Sequence, residues 1–155
     1  GISLRFSNVY GSGCFNKGSV VSKMTQDALK FNKIFVFGDG RQTRDMLPVA
    51  LLNKIIFEVL TATKIPQDLN LLQLGTGVET SMLHLAQSIQ ERLRLKYSIP
   101  VEILHKDALP GDVRRGLSDI TLFEETFFTP NMDQYGYALD ETIDYIFNLK
   151  ESGLI

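Results

Sequence analysis

Arg44 is the side chain in this sequence best suited to holding an anion. Its guanidinium is planar, permanently charged and carries five donors in a fixed fork that can grip phosphate oxygens in pairs. It stands near the end of the stretch IFVFGDGRQTRD, residues 34–45. Ile34 to Phe37 read as a short buried strand, and Gly38 and Gly40 permit a turn with positive φ. A strand, a glycine turn and an arginine at its exit make an anion site. A second cluster, PGDVRRGLSD at residues 110–119, sets Asp112 two residues before Arg114. This puts a carboxylate able to accept from sugar hydroxyls beside cations able to hold phosphate. The same pair of residue types also makes ordinary surface ion pairs, which are common and weak.

The glycines at 11, 13 and 18 lie between a strand-like run and a helix-like run. Their spacing, GxGxxxxG, is too long for a dinucleotide fingerprint, and Ser19 stands where a P-loop requires lysine. Residues 8–18 therefore read as a long surface loop, of a length that is often functional. Redox chemistry between a hydroxyl and a carbonyl commonly uses a tyrosine whose phenol is tuned by a lysine four residues later on a helix. The tyrosines at 10, 97, 135, 137 and 145 are followed at that distance by Cys14, Val101, Leu139, Glu141 and Leu149. No HExxH, CxxC or GxSxG occurs. Cys14 is the one cysteine and has no histidine near it in sequence, which argues against a thiol nucleophile. The chain thus carries binding features and no evident reacting group; neither catalytic nor metal-ligating residues are expected.

The elements that must position these residues follow from the apolar spacing. Residues 2–6 alternate as a strand. Ser19 caps a helix to Phe31, with Val20, Met24, Leu29 and Phe31 as its apolar face. Pro48 opens a helix, PVALLNKIIFEVLTAT, that is apolar nearly all round and is expected to be buried. Residues 71–74 form a strand before Gly75-Thr76-Gly77. Thr80 or Ser81 caps the next helix, with Met82, Leu85, Ala86, Ile89 and Leu93 along one side. His84 lies off that stripe. Residues 101–104 form a strand, Ser118 caps a short helix over 119–126, and residues 138–150 form the last helix.

Bulk properties bound the class. The 155 residues, 44% hydrophobic and 22% charged, suit one globular domain or one domain with part of another. The net charge of −2 gives no basic footprint for nucleic acid. Arg92, Arg94 and Lys96 read as a solvated helix face. The single cysteine favours a reducing compartment, and no apolar run approaches a membrane span, so a cytoplasmic protein with no membrane partner is expected.

Three segments together resemble a known family: RFSNVYG at 5–11, VFGDGRQTRD at 36–45 and PGDVRRGLSD at 110–119. They are similar to the C-terminal half of the extended short-chain dehydrogenase/reductases, and within these to the nucleotide-sugar epimerases and dehydratases such as UDP-glucose 4-epimerase. LQLGTGVETSMLHLA resembles the family's strand–GTG–helix segment. The resemblance implies an α/β fold: the small C-terminal substrate-binding domain of an extended enzyme, led by the last strand of its Rossmann domain. Residues 1–18 would be that strand and loop, and residues 19–155 the nucleotide-sugar domain. The Rossmann half, with its GxxGxxG and YxxxK, would lie before Gly1. NAD would be the cofactor of the intact enzyme and would not be held by this chain alone.

The resemblance also implies roles by position. Asn8 would approach the sugar diphosphate, Ser19 and Val20 would touch the nucleotide, and Phe35 and Phe37 would lie beside the base. Arg44 would clamp the diphosphate and Asp112 would contact the ribose, with Arg114 in the same loop. Ser7 and Val9 would line the nicotinamide end of the cleft. The partners implied are a UDP- or dTDP-sugar, the Rossmann half and, in the intact enzyme, a second copy. Two departures stand out. Leu109 occupies a position where many members have a nucleotide-contacting arginine, a contact left to Arg114 or Arg115. MLPVALL replaces the usual run ending in two aspartates. Alternatives are a 4,6-dehydratase and a degenerate, non-catalytic interaction module whose first strand offers an open edge.

Overall fold

Strand β4, Thr43–Pro48, is flanked by more partners than any other strand described, because its two halves serve different neighbours. In this computed structural model, which describes residues 1–16 and 18–154, the first half of β4 runs antiparallel to β6 (Glu79–Ser81) and parallel to β8 (Arg115–Gly116). The second half pairs in parallel with β2 (Asn8–Tyr10). Two further parallel pairs complete the strands. β1 (Ser3–Phe6) runs beside β5 (Leu71–Leu74), and β3 (Lys33–Phe37) beside β7 (Glu102–Lys106). The helices are α1 (Val20–Phe31), α2 (Val49–Thr61), α3 (Met82–Tyr97), α4 (Thr121–Thr126) and α5 (Ala138–Glu151), with a 3₁₀ turn at Met132–Tyr135. The α/β class with parallel strands is as the sequence implies.

Side-chain alternation along β4 sends Met46 into one hydrophobic core and Leu47 into another. The first core joins α1, β3, α3 and α5 through Val21, Ala28, Ile34, Val36, Ala86, Ile89, Leu93 and Ile146, all without solvent exposure. The second joins Leu47, Leu51 and Ile55 to Leu72 and Leu74 of β5 and to Phe123 of α4, with Ile2, Leu4 and Val9 packed against it. The hydrophobic core therefore does not divide at residue 18: the first two strands share a core with α2, β5 and α4.

The caps at Ser19 and Ser81 are as expected, each hydroxyl accepting from the amide three residues on. Several expectations are corrected. Residues 8–10 form β2 where a loop was expected, since β4 supplies the ladder that this short segment lacks locally; Lys17 of the same stretch lies outside the described residues, as does Ile155. α2 is not buried all round. Leu51, Leu52, Ile55 and Val59 face the second core, whereas Phe57 and Leu60 are 63% and 79% exposed, because the described elements cover only one side. Phe31 is exposed too, at the end of α1. Ser118 does not cap α4: its amide donates to Asp45, and Asp119 accepts from Thr121 instead. Arg92 and Lys96 are ion-paired to Asp140 and Asp144 of α5 and so tie two helices together. No described helix is long and apolar enough to cross a membrane.

Asp45, 2% exposed, ties β4 to three other segments. Its carboxylate accepts from the Thr76 amide and hydroxyl at 2.9 and 2.8 Å, from the Gly77 amide at 3.2 Å, and from the Ser7 hydroxyl at 3.3 Å. The Ser118 amide adds a fifth donor at 3.4 Å. Gly75 leaves room for this: a Cβ there would lie 2.2 Å from Asp45 Oδ2. A buried carboxylate is tolerated only when its lone pairs are filled in this way. Asp45→Asn keeps the volume but turns an amide N–H₂ toward these donors. It should lower the unfolding free energy by about 3 kcal/mol, since hydrogen bonds to a charged group are worth about 1.5–3 kcal/mol each. Urea denaturation would show this as a lower midpoint with an unchanged slope.

Candidate functional site

Residues on β3 alternate between core and cavity. Ile34 and Val36 are fully buried, while Phe35 and Phe37 face a cavity of about 550 Å³ between β3, β7, α1 and the start of β4. Gly40 closes the turn after β3 with φ of +72°, and a Cβ there would sit 2.8 Å from side-chain atoms of both Leu83 and Val36. The turn delivers Gln42 and Arg44 to the cavity wall. Gln42 is held by its own amide, which donates to the Phe37 carbonyl at 2.8 Å.

Arg44 is oriented by three acceptors. One guanidinium nitrogen donates to the carbonyls of Thr43 and Val113 at 2.7 and 2.6 Å, and the other donates to the Asp112 carboxylate. The two side chains remain 21% and 26% exposed, so the pair sits at the cavity wall with part of each group open. A preset fork of this kind suits a ligand phosphate, which could share the guanidinium with Asp112.

Of the residues singled out from sequence, Asn8, Val20, Phe35, Phe37, Arg44 and Asp112 line this one cavity. Ser7, Val9 and Ser19 line an adjoining hollow of about 490 Å³, with Asn8, Gly18 and Val20 common to both. The Ser7 hydroxyl is committed to Asp45, and the Ser19 hydroxyl to the start of α1. Arg114 is placed elsewhere. Its guanidinium makes a two-pronged contact with Asp39 at 2.8 and 3.0 Å, outside the cavity wall. The expected local partnership of Asp112 with Arg114 is thus replaced by Asp112 with Arg44 and Arg114 with Asp39. Arg115 contacts Glu79 at 2.8 Å; Leu109 lines the cavity and, with Arg114, also lines a neighbouring hollow of about 380 Å³ that shares Phe37, Gln42 and Asp112 with it.

Sequence reading missed Lys23, Asp27, Gln42 and Lys106, all of which line the cavity. Lys23 and Asp27 are one helical turn apart and paired at 2.6 Å, an (i, i+4) spacing legible in the sequence. Lys106 is reached through the β3–β7 register, which sets it opposite Phe37. Its ammonium lies 3.7 Å from the centre of the Phe35 ring. The cavity therefore offers three cations, Lys23, Arg44 and Lys106, against two carboxylates, Asp27 and Asp112, beside three aromatic rings, Phe31, Phe35 and Phe37. That combination can hold an anionic ligand that also carries a flat ring. Among the described residues there is no group of three His, Cys, Asp or Glu able to hold a metal ion.

The chain is similar to known proteins in sequence and in fold. Residues 1–71 match the model of the NAD dependent epimerase/dehydratase family. A Methanocaldococcus jannaschii protein named provisionally as a UDP-glucose 4-epimerase is 31% identical over 132 residues, 84% of this chain and 40% of that protein. The dTDP-L-rhamnose 4-epimerase of Burkholderia thailandensis is 30% identical over 121 residues, 76% of this chain and 32% of that enzyme. Among solved structures, the UDP-glucose 4-epimerase of Thermotoga maritima, determined with UDP-glucose, is 25% identical with a TM-score of 0.74. That likeness covers 94% of this chain and 45% of that one. The chain spans less than half the length of each of these relatives.

The Asp39–Arg114 pair sets a pH dependence at the rim. The Arg114 guanidinium, helped by the Arg41 amide, lowers the Asp39 carboxyl from the usual 3.8 to about 2. A depressed carboxyl contributes only while ionised, so the pair is complete above pH 3.8 and is lost as pH falls through about 2. Carboxyl-carbon NMR titration should give Asp39 a midpoint near 2, and Arg114→Ala should return it toward 3.8.

Proposed function

The chain belongs with the NAD-dependent epimerase/dehydratases of the extended short-chain dehydrogenase/reductase family, and from that premise we propose that it forms the nucleotide-sugar-binding half of such an enzyme. The substrate would be a UDP- or dTDP-sugar. The observation that carries the reading is that Asn8, Val20, Phe35, Phe37, Arg44 and Asp112, drawn from separate stretches of sequence, converge on one cavity. In this reading Phe35 and Phe37 flank the base, Asp112 accepts from ribose hydroxyls and Arg44 holds the diphosphate. Ser19, Val20 and Asn8 carry the nucleotide toward the adjoining hollow, where Ser7 and Val9 would meet the nicotinamide end. Arg114 would act at the rim, by fixing the loop that follows Pro110 to Asp39.

NAD, when bound by the complete enzyme, would supply reversible hydride exchange at a sugar carbon. The described residues lining the hollow beside Ser7 and Val9 include no cation for a pyrophosphate, and the sequence holds neither GxxGxxG nor YxxxK. In this proposal the dinucleotide and the acid/base pair therefore belong to a Rossmann half outside this sequence, and the present residues bind and orient the sugar nucleotide. Correct placement of the reacting carbon is itself worth several kcal/mol of barrier in general, roughly 7–11 in the best cases. Because β1 and β2 share a core with α2, β5 and α4, all of these would form the Rossmann-facing side, with α1, β3, α3, β7 and α5 as the nucleotide-binding side.

Epimerase is favoured over 4,6-dehydratase by the names of the related sequences; the site described here serves both. The second reading, a non-catalytic interaction module, draws on the exposed Phe57 and Leu60 of α2 and on β1, which pairs only with β5 among the described strands. Calorimetric titration with UDP separates the two. Binding by the wild-type chain, weakened by about 1.5–3 kcal/mol in Arg44→Ala through loss of a charged hydrogen-bonding group, is the expected result. No heat at millimolar UDP would remove the nucleotide assignment and leave the interaction module.

A further inference from the structure

Gln42 carries an acceptor that the described residues leave unused. It stands immediately before β4, where its main-chain carbonyl accepts from the Met82 amide at 3.0 Å and so ties it to the start of α3. The residue is 8% exposed. Its side-chain Nε2 donates to the Phe37 carbonyl at 2.8 Å. A carbonyl can only accept, so this bond fixes which end of the amide is nitrogen and turns Oε1 away from Phe37. No donor among the described residues reaches Oε1, and protein does not enclose it. Gln42 lines two open spaces, the cavity and the neighbouring hollow of about 380 Å³, and Oε1 opens toward them. Asp112 lines the same two spaces and gives Oδ1 to Arg44, which leaves Oδ2 without a donor among the described residues. Two acceptors thus stand where cavity and hollow join, each on a side chain already held by its other polar atom.

A ligand that fills this junction displaces water from both acceptors and must return a donor to each, because an acceptor left unpaired costs more than the bond itself is worth. Arg44 already balances the charge of Asp112, so the donors called for are neutral hydroxyls. The two hydroxyls of a ribose sit on adjacent carbons and on one face of the ring, and so arrive at the junction together. We infer that Gln42 is a specificity-determining residue: its Oε1 accepts from one ribose hydroxyl while Asp112 Oδ2 accepts from the other, and the site thereby selects ribonucleoside over 2′-deoxyribonucleoside diphosphates. Whichever hydroxyl each acceptor takes, a 2′-deoxyribose leaves one of them without a donor. Sites built to hydrogen-bond a hydroxyl reject strongly the analogue that lacks it. The inference rests on the nucleotide reading of the cavity, in which Asp112 faces the ribose. It adds Gln42 to that site and narrows the substrate to sugar nucleotides of the ribo series, independently of the base.

The test is calorimetric titration of the chain with UDP, 2′-deoxy-UDP and 3′-deoxy-UDP, for wild type and Gln42→Met. Wild type should bind UDP roughly tenfold more tightly than either analogue, the scale of one unpaired acceptor. In Gln42→Met at least one of those two preferences should collapse to near unity. The ratio between ligands is the readout, because Gln42 also holds the Phe37 carbonyl and its replacement can loosen the site for all three. A uniform weakening of all three ligands would make Gln42 a support of the turn and overturn the inference, as would both preferences surviving in Gln42→Met. Equal wild-type affinity for UDP and 2′-deoxy-UDP would also overturn it and leave the nucleotide site standing. Failure of wild type to bind any of the three would remove both. A second measurement needs no variant and decides the matter if Gln42→Met does not fold. The side-chain amide resonances of Gln42 in the labelled wild-type chain should move on titration with UDP and move less with the analogue whose missing hydroxyl it reads. Resonances that stay still with UDP, or move equally with all three ligands, would contradict the assignment.

Discussion

A single buried carboxylate holds the site in place. Asp45 and Arg44 are neighbours on β4, so their side chains leave the strand on opposite sides: Asp45 into the interior and Arg44 to the cavity. Asp45 draws donors from the bend after β1, from the turn after β5 and from the segment after β8. A carboxyl group in so enclosed a position is stable only because those donors reach it, and its oxygens in turn hold the donors in place. The orientation of Arg44 follows, since its guanidinium is then fixed by the carbonyls of Thr43 and Val113 and by Asp112. An arginine prepared in this way loses less freedom on binding than one free in solvent.

The same strand separates two cores. Met46 and Leu47 point to opposite sides, one toward the helices α1, α3 and α5, the other toward α2, β5 and α4. The cavity lies mostly against the first core, and the hollow beside Ser7 and Val9 lies where β1 and β2 meet α1. Asn8 and Val20 line both spaces, and in the proposed enzyme they would be the junction between a nucleotide and the chemistry carried out on its sugar. The side of α2 that exposes Phe57 and Leu60, beside Asn53, Lys54 and Thr61, is uncovered by any described element. In the proposed enzyme a Rossmann half would cover it.

Much of this was legible in the sequence where local rules apply. Ser19 and Ser81 announce their helices by capping, Leu71–Leu74 is a strand with the expected ends, and Gly38 and Gly40 take the positive φ the turn needs. The segments missed were those whose structure is imposed from a distance. β2 and β8 span three and two residues and exist because β4 pairs with them. β4 itself reads as TRDMLP, and its two charged residues hide the alternation because each is satisfied by tertiary contacts. The ion pairs show the same limit. Asp112 stands two residues from Arg114 but bonds to Arg44, 68 residues away, while Arg114 bonds to Asp39. Spacing brought out the residue types, and the fold chose their partners. Lys106 escaped notice for the same reason, since its closeness to Phe35 depends on a strand register that the sequence does not state.

The central claim is that the space between β3, β7 and α1 receives a nucleoside diphosphate. Amide chemical-shift mapping of the isotopically labelled chain during titration with UDP tests it most directly. The account predicts saturable shifts centred on Phe35, Phe37, Arg44, Lys106 and Asp112, extending to Asn8 and Val20 and fading toward α2 and β5. Shifts confined to the α2 and β1 surface, or none at millimolar UDP, would contradict it.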